Sequence, residues 1–343
     1  MIVDMSVHPV LDDDELRRRI GPPWSKGRVP HLLGTRYQPP FDEIVAPLDE
    51  AGDPGAVATE LFDRQGVDLA VITPLTRGLL PNPQQAAAIA AATNAWVAEL
   101  WLDADPRFAG GLRVATTDIP QALQEIERWA DDRRFVQLVL PLRTYNPYGD
   151  PQYFPLFEAA VANDLPVVIF DDDATVVEHH ETPVGALRYF SEKHALRPLA
   201  GIVHLSSLIT CGVFDRLPEL KVIIGDGAID VARPMMWRVD RDWRQGRVEI
   251  PWVEKLPSSY LPDHVRFVTQ HEDGAPDAFE PHPDLIRITD AERLLLYGSH
   301  YPYWDHRDPV TVMSGWDADV RSRVLERNAL DFVPRLAALA AIR

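Results

Sequence analysis

The sequence predicts an α/β protein whose residues 1–343 form a single (β/α)8 TIM-barrel domain with a long irregular insertion after strand one. Three observations lead there. Eight short runs rich in β-branched residues and leucine recur along the chain, and stretches of helical length separate most of them. The runs are apolar almost throughout instead of alternating, as strands are when both faces of a parallel sheet are covered. Eight such units fit a closed barrel better than a doubly wound sheet. The chain of 343 residues, 46% hydrophobic and 25% charged, is long enough to fill one.

Taken in order, the first run is "MIVDMSV", followed by residues 9 to 53, which are dense in Pro, Gly and Arg and read as irregular. In a barrel that insertion lies over the C-terminal face, where long loops shape pockets. "DLAVITPL" is the second strand, and residues 83 to 103 are its helix. "FAGGLRVA" and the helix 120 to 132 follow, then "FVQLVLPL" with the helix 155 to 164. The fifth strand is "LPVVIF", with a long excursion over 171 to 185. An apolar helical pattern then carries His204 and ends near Cys211, and both are expected in the core. "KVIIGDG" precedes a helix carrying "MMWRVDRDWR", on which Arg238 and Asp240 are expected to form a helix-surface or interface ion pair. "HVRFVTQ", the excursion 271 to 285 and "RLLLYGS" complete the set.

Composition excludes several classes of partner. A net charge of −18 and a pI near 5.0 argue against nucleic acid and anionic membrane surfaces. Cys211 is the single cysteine, so neither an internal disulfide nor a cysteine zinc site is available. With no basic-then-apolar leader and no run of membrane-spanning length, a cytoplasmic protein is expected.

Active sites of such barrels are built at the C-terminal ends of the strands. Strand one ends at Asp4, Ser6 and His8, which period-two alternation would put on one face, with Met5 and Val7 on the other. Strand five ends at Phe170 before Asp171 to Asp173, strand six at Asp226, and strand eight at Ser299 and His300.

Here the motifs carry a resemblance. "FVQLVLPLRTYNPYGDPQYFPLFEAA", "GVFDRLPELKVIIGDGAIDVARPMMWRVDRDWR", "PWVEKLPSSYLPDHVRFVTQ", "YGSHYPYWDHRDP" and the closing "RNAL" occur in an order spanning nearly the whole chain. Together they resemble the amidohydrolase-related barrels that include aminocarboxymuconate-semialdehyde decarboxylase and the aromatic-acid decarboxylases. The resemblance implies a metal site with His-x-His, or acid-x-His, on strand one. It also implies a metal-binding histidine at the end of strand five, a His or Glu on strand six for acid–base work or binding, and a metal-binding aspartate in a "GSDYPH"-like motif after strand eight. In this chain those places hold Ser6 and His8, Phe170, Asp226, and His300 with Tyr303 in "GSHYPY". Of the four usual ligand positions only His8 is unchanged.

Three readings are open. In the first, an enzyme uses His8, Asp226 and His300 as acid, base and electrostatic groups with no metal required. A decarboxylase-like lyase step on an aromatic or carboxylated small molecule suits such a set better than hydrolysis. Ser6, Phe170, Tyr303 and Trp304 then line the pocket, while Arg143, with the loop residues Arg28, His31 and Arg36, is the candidate for a carboxylate. In the second, His8, His300, Asp226 and His271 hold a rearranged divalent metal (Zn, Mn or Fe) for decarboxylation or hydrolysis. In the third, the chain is a silent relative that partners an active homologue or binds a ligand. The resemblance also implies a homodimer.

Overall fold

All eight apolar runs form strands in the computed structural model, which describes residues 1–26, 48–76, 78–170, 187–269 and 283–342. They are β1 (Val3–Val7), β2 (Leu69–Ile72), β3 (Phe108–Arg113), β4 (Phe135–Pro141), β5 (Val167–Phe170), β6 (Val222–Ile224), β7 (Val265–Val268) and β8 (Leu295–Leu296). Each pairs in parallel with the next in sequence order. Backbone bonds beyond β8 draw the ring together: Met5 N donates to the Tyr297 carbonyl, His300 N to Ser6 and His8 N to Tyr301. The result is a nearly closed (β/α)8 barrel, as the continuous apolar runs predict.

Two apolar layers explain why the strands do not alternate. Val3, Met5, Leu69, Val71, Ala109, Val136, Val168, Ile223, Val268 and Leu296 fill the barrel interior. Val7, Ala70, Ile72, Leu112, Leu138, Ile169, Val222, Ile224 and Phe267 pack outward against the helices. The helix Pro334–Ala341 covers the N-terminal end of the barrel, where Leu336 and its neighbours Phe332 and Val333 join the interior cluster. Arg335 of that helix is buried and donates to the carbonyls of Ala130, Asp132, Phe135 and Asn163. One guanidinium thus satisfies four carbonyls, that of Phe135 buried and the others partly so, around the base of β4 and β5. With that end plugged, the chemistry is left to the C-terminal mouth. No helix among the described residues is long and apolar enough to cross a membrane.

Four local expectations are corrected. Residues 13 to 19 of the insertion are helical: Asp12 caps the amides of Asp14 and Glu15, and Glu15 pairs with Arg18 and Arg19 one turn on. Cys211 is exposed, because it sits at the C-cap of the helix Pro198–Thr210, off the stripe made by Ile202, Leu205, Leu208 and Ile209. Arg238 and Asp240 do not pair, since side chains two residues apart on a helix point apart. Asp240 is instead buried and accepts from the amide and hydroxyl of Ser258. Finally, a register slip in β1 between Asp4 and Val7 breaks the period-two pattern. Val3 and Met5 face the interior while Val7 packs outward, so Asp4 lies on the opposite side from Ser6 and His8.

Candidate active site

The slip in β1 is what aims Ser6 and His8 into the mouth. His8 is buried, and its Nδ1 donates to the Thr73 carbonyl just past β2 at 2.6 Å. A carbonyl only accepts, so in the neutral ring Nε2 takes the hydroxyl proton of Ser6 at 2.7 Å. Below it, the Asp4 carboxylate accepts from the amides of Ser6 and Ser299 at 3.0 and 2.9 Å, tying β1 to the segment after β8. Asp4 is fully buried, and desolvation pushes its carboxyl up to about 6 despite those bonds.

His300 comes from the opposite side of that seam. Its backbone sits at φ 60°, in the left-handed region that non-glycine residues rarely adopt. The amide bond to Ser6 and the turn bond from Tyr303 N to its carbonyl hold it there. Its Nδ1 meets Asp305 Oδ1 at 2.5 Å, with both side chains more than nine-tenths buried. Such a short bond between imidazole and carboxylate fixes the orientation of the ring and the role of Nδ1.

Four rings meet at this point. Phe170 of β5 stacks on His8 with centroids 4.5 Å apart and planes at 29°. His8 meets His300 edge to face at 5.1 Å, and His300 meets Tyr303 at 5.0 Å. Gly225, after β6, is what admits the Phe170 ring, since a Cβ there would lie 2.3 Å from its Cδ2. Gly298 does the same on the other side, where a Cβ would crowd Val268 and Ser6.

Of the residues the sequence picked out, Ser6, His8, Phe170, His300 and Tyr303 are brought together. Asp226 is buried directly after Gly225, on the Phe170 side of the mouth. Trp304 is half-buried next to Tyr303, and Arg143 is half-buried in the loop after β4. His271, Arg28, His31, Arg36 and Asp171 to Asp173 lie outside the described residues.

Two residues were passed over. Asp305 is the acid that pairs with His300. Its signal was an acid five positions past the histidine in one short loop. Arg113 ends β3 between Leu112 and Val114, which pack outward, so its side chain faces the interior. There it is buried and donates to the carbonyls of Pro74 and Thr76, the segment whose Thr73 holds His8. A lone cation in an otherwise apolar strand run was the legible sign. Beneath it, Gln137 Nε2 reaches the Thr73 hydroxyl at 3.4 Å, adding polar groups to the interior of the barrel.

A divalent metal needs about three nitrogen, oxygen or sulfur donors converging on one point at about 2.0–2.2 Å, or 2.3 Å for sulfur. Among the described residues no group of three or more His, Cys, Asp or Glu is placed to do that. His8 spends one ring nitrogen on a carbonyl and the other on a hydroxyl, His300 spends Nδ1 on Asp305, and Phe170 offers no donor. The described residues therefore do not fit a metal of the family type.

Gamma-resorcylate decarboxylase from Rhizobium radiobacter is 26% identical over 226 residues, covering 61% of this chain and 63% of the relative. The chain thus matches less than two thirds of that protein's length. An amidohydrolase from Mycobacterium avium subsp. paratuberculosis superposes with a TM-score of 0.73 at 18% identity, covering 96% of this chain and 98% of the other. The 5-carboxyvanillate decarboxylase of Novosphingobium aromaticivorans was solved with manganese and 4-hydroxy-3-methoxy-5-nitrobenzoic acid. It superposes with a TM-score of 0.65 at 22% identity, covering 83% of this chain and 81% of that one. A divalent metal is therefore present in a structural neighbour, although the donors here differ. Residues 3–335 match the family model described as amidohydrolase, and the chain belongs to amidohydrolase family 2.

Proposed function

We propose that this protein is a lyase that decarboxylates a small aromatic carboxylate, with His300 as the proton carrier. The observation that carries the reading is the buried His300–Asp305 pair at the C-terminal mouth of the barrel. The decarboxylase names of the relative and of the neighbour support the substrate class. Asp305 holds the His300 ring, and Nε2–H of the imidazolium delivers a proton to the ring carbon that bears the carboxylate. The bond to the carboxyl carbon then breaks, its electron pair restores the aromatic ring, and carbon dioxide leaves. A proton from water reloads His300, so no oxidant or reductant is needed.

The other residues take positioning and binding roles in this reading. Phe170, Tyr303 and Trp304 offer aromatic faces to a planar substrate. Arg113 brings a fixed positive charge toward the carboxylate, a part earlier given to Arg143. His8, locked by Thr73 and Ser6, shapes the floor, and Asp226 is a further buried carboxylate at the rim. A homodimer is proposed with it, supported by exposed Leu199 and Val203 on one helix and Trp237 on the neighbouring helix Ile229–Gly246. Light-scattering mass at micromolar concentration checks that part.

The test is a panel of hydroxylated benzoates, 2,6-dihydroxybenzoate and 5-carboxyvanillate included, followed by chromatography and carbon dioxide release. Turnover by the wild type and its loss in a folded His300→Gln variant are expected. Consumption of no aromatic carboxylate, or full turnover by His300→Gln, would remove the proposal.

A further inference from the structure

We infer that the packed rings of Phe170, His8, His300 and Tyr303 take the place of a bound cation in this barrel, making the mouth a metal-independent variant of its family. The inference goes beyond the decarboxylase reading, and its readout, metal binding, does not depend on turnover.

The strand ends from which the family resemblance draws ligands are those of β1, β5 and β8, and all three are committed to one another here. The Phe170 ring lies on His8 at 4.5 Å, spanning the barrel from β5 to β1. His300 closes on the same imidazole at 5.1 Å and is 6.3 Å from Phe170. At these ring separations, with Phe170 offering no donor, no group of three or more His, Cys, Asp or Glu among the described residues converges on one point.

The nitrogens agree with the rings. For His8 to bind a cation, it would have to give up either the Thr73 carbonyl or the Ser6 hydroxyl. Stripping a buried carbonyl or hydroxyl of its partner is costly, so the ring is held as it stands. The Phe170 position is also built in from below, because Gly225 leaves room for that ring and for nothing larger than a hydrogen on its own Cα. Asp4 locks the backbone on the other side through Ser6 N and Ser299 N. The same positions that lost donors have gained partners, which distinguishes a rebuilt mouth from a merely eroded one.

The experiment compares the wild type with a variant that carries Ser6→His, Phe170→His and His300→Asp together. Both are purified without chelator and analysed by elemental analysis, by manganese titration followed by electron paramagnetic resonance, and by melting temperature with and without manganese or zinc. The wild type is expected to hold far less than one equivalent and to melt at the same temperature with and without either ion. The triple variant is expected to take up about one equivalent and to gain several degrees as the ion binds only the folded form. A wild type that binds one equivalent and loses it on His8→Gln would overturn the inference. So would a folded triple variant, checked by circular dichroism, that binds no more metal than the wild type, since the three positions would then not be what excludes the ion.

Discussion

His204 and His8 are held in nearly the same way, yet one sits in the wall of the barrel and the other in its mouth. His204 donates Nε2–H to the Leu142 carbonyl at 2.6 Å and packs on Tyr148 with centroids 4.5 Å apart. His8 donates Nδ1–H to Thr73 at the same distance and packs on Phe170 at the same separation. His264 repeats the pattern with Leu220 and Phe214. A carbonyl and an aromatic face are thus the ordinary way this fold stores an imidazole. His300 departs from it, because its Nδ1 partner is a carboxylate. The lesson is that burial of a histidine marks no function; the charge of its partner does.

Replacing His300 should have the largest effect. His300→Gln is expected to lower kcat by about 10²–10⁴-fold, the usual worth of a general acid, while leaving the melting temperature nearly unchanged. Asp305→Asn should follow in the same direction with a smaller loss, read by the same assay. If both variants unfold instead, His300 belongs with His204 and the contrast fails.

The wall histidine should show itself in pH-dependent stability. Burial depresses His204 from 6.5 to about 4, so the unfolded chain takes up its proton first as pH falls. Its contribution is complete above about pH 6.5 and is lost toward pH 4, by about 3 kcal/mol. Asp4 acts with the opposite sign. Its folded value of about 6 lies above the ordinary 3.8, so stability is fullest below pH 4 and is lost as pH rises through 6, again by about 3 kcal/mol. Between pH 4 and 6.5 these two contributions oppose each other in the wild type, and buried His264 and half-buried His306 add to the sign of His204. His204→Gln should reveal a decline with rising pH, and Asp4→Asn a decline with falling pH.

Gly225→Ala tests the floor beneath the rings. With a Cβ 2.3 Å from Phe170 Cδ2, something must shift, at a cost of about 1–3 kcal/mol read from urea denaturation. The equivalent overpacking far from the mouth would cost similar stability but leave kcat alone; here both should fall. Arg113→Lys should be the mildest change, raising KM by about tenfold with kcat largely kept, because Lys keeps the charge and loses the planar fork.

Much of this protein is written locally. The eight strands followed from unbroken apolar runs, because a strand covered on both faces cannot alternate, and they placed Ser6, His8, Phe170 and His300 at one end of the barrel. The missing donors at Ser6, Phe170 and His300 were likewise visible from residue identity alone. The helix Asp13–Arg19 was there to be read as well, in the Asp12 cap and the acid-then-basic order of its turns.

What the tertiary structure decided are relations that no short window contains. The slip in β1 turned Asp4 away from His8, a one-residue event that hydrophobic periodicity does not record. The partner of His300 Nδ1 proved to be Asp305, because a left-handed backbone at His300 folds the loop back on itself. Arg113 became a mouth residue only when β3 closed beside β2 and brought the Pro74 and Thr76 carbonyls within reach. The sequence by itself determined the barrel and which donors it lacks, since both depend on residue type and local pattern. Closure of the barrel decided which side chains meet, since β1, β5 and β8 touch only through contacts more than a hundred residues apart in the chain.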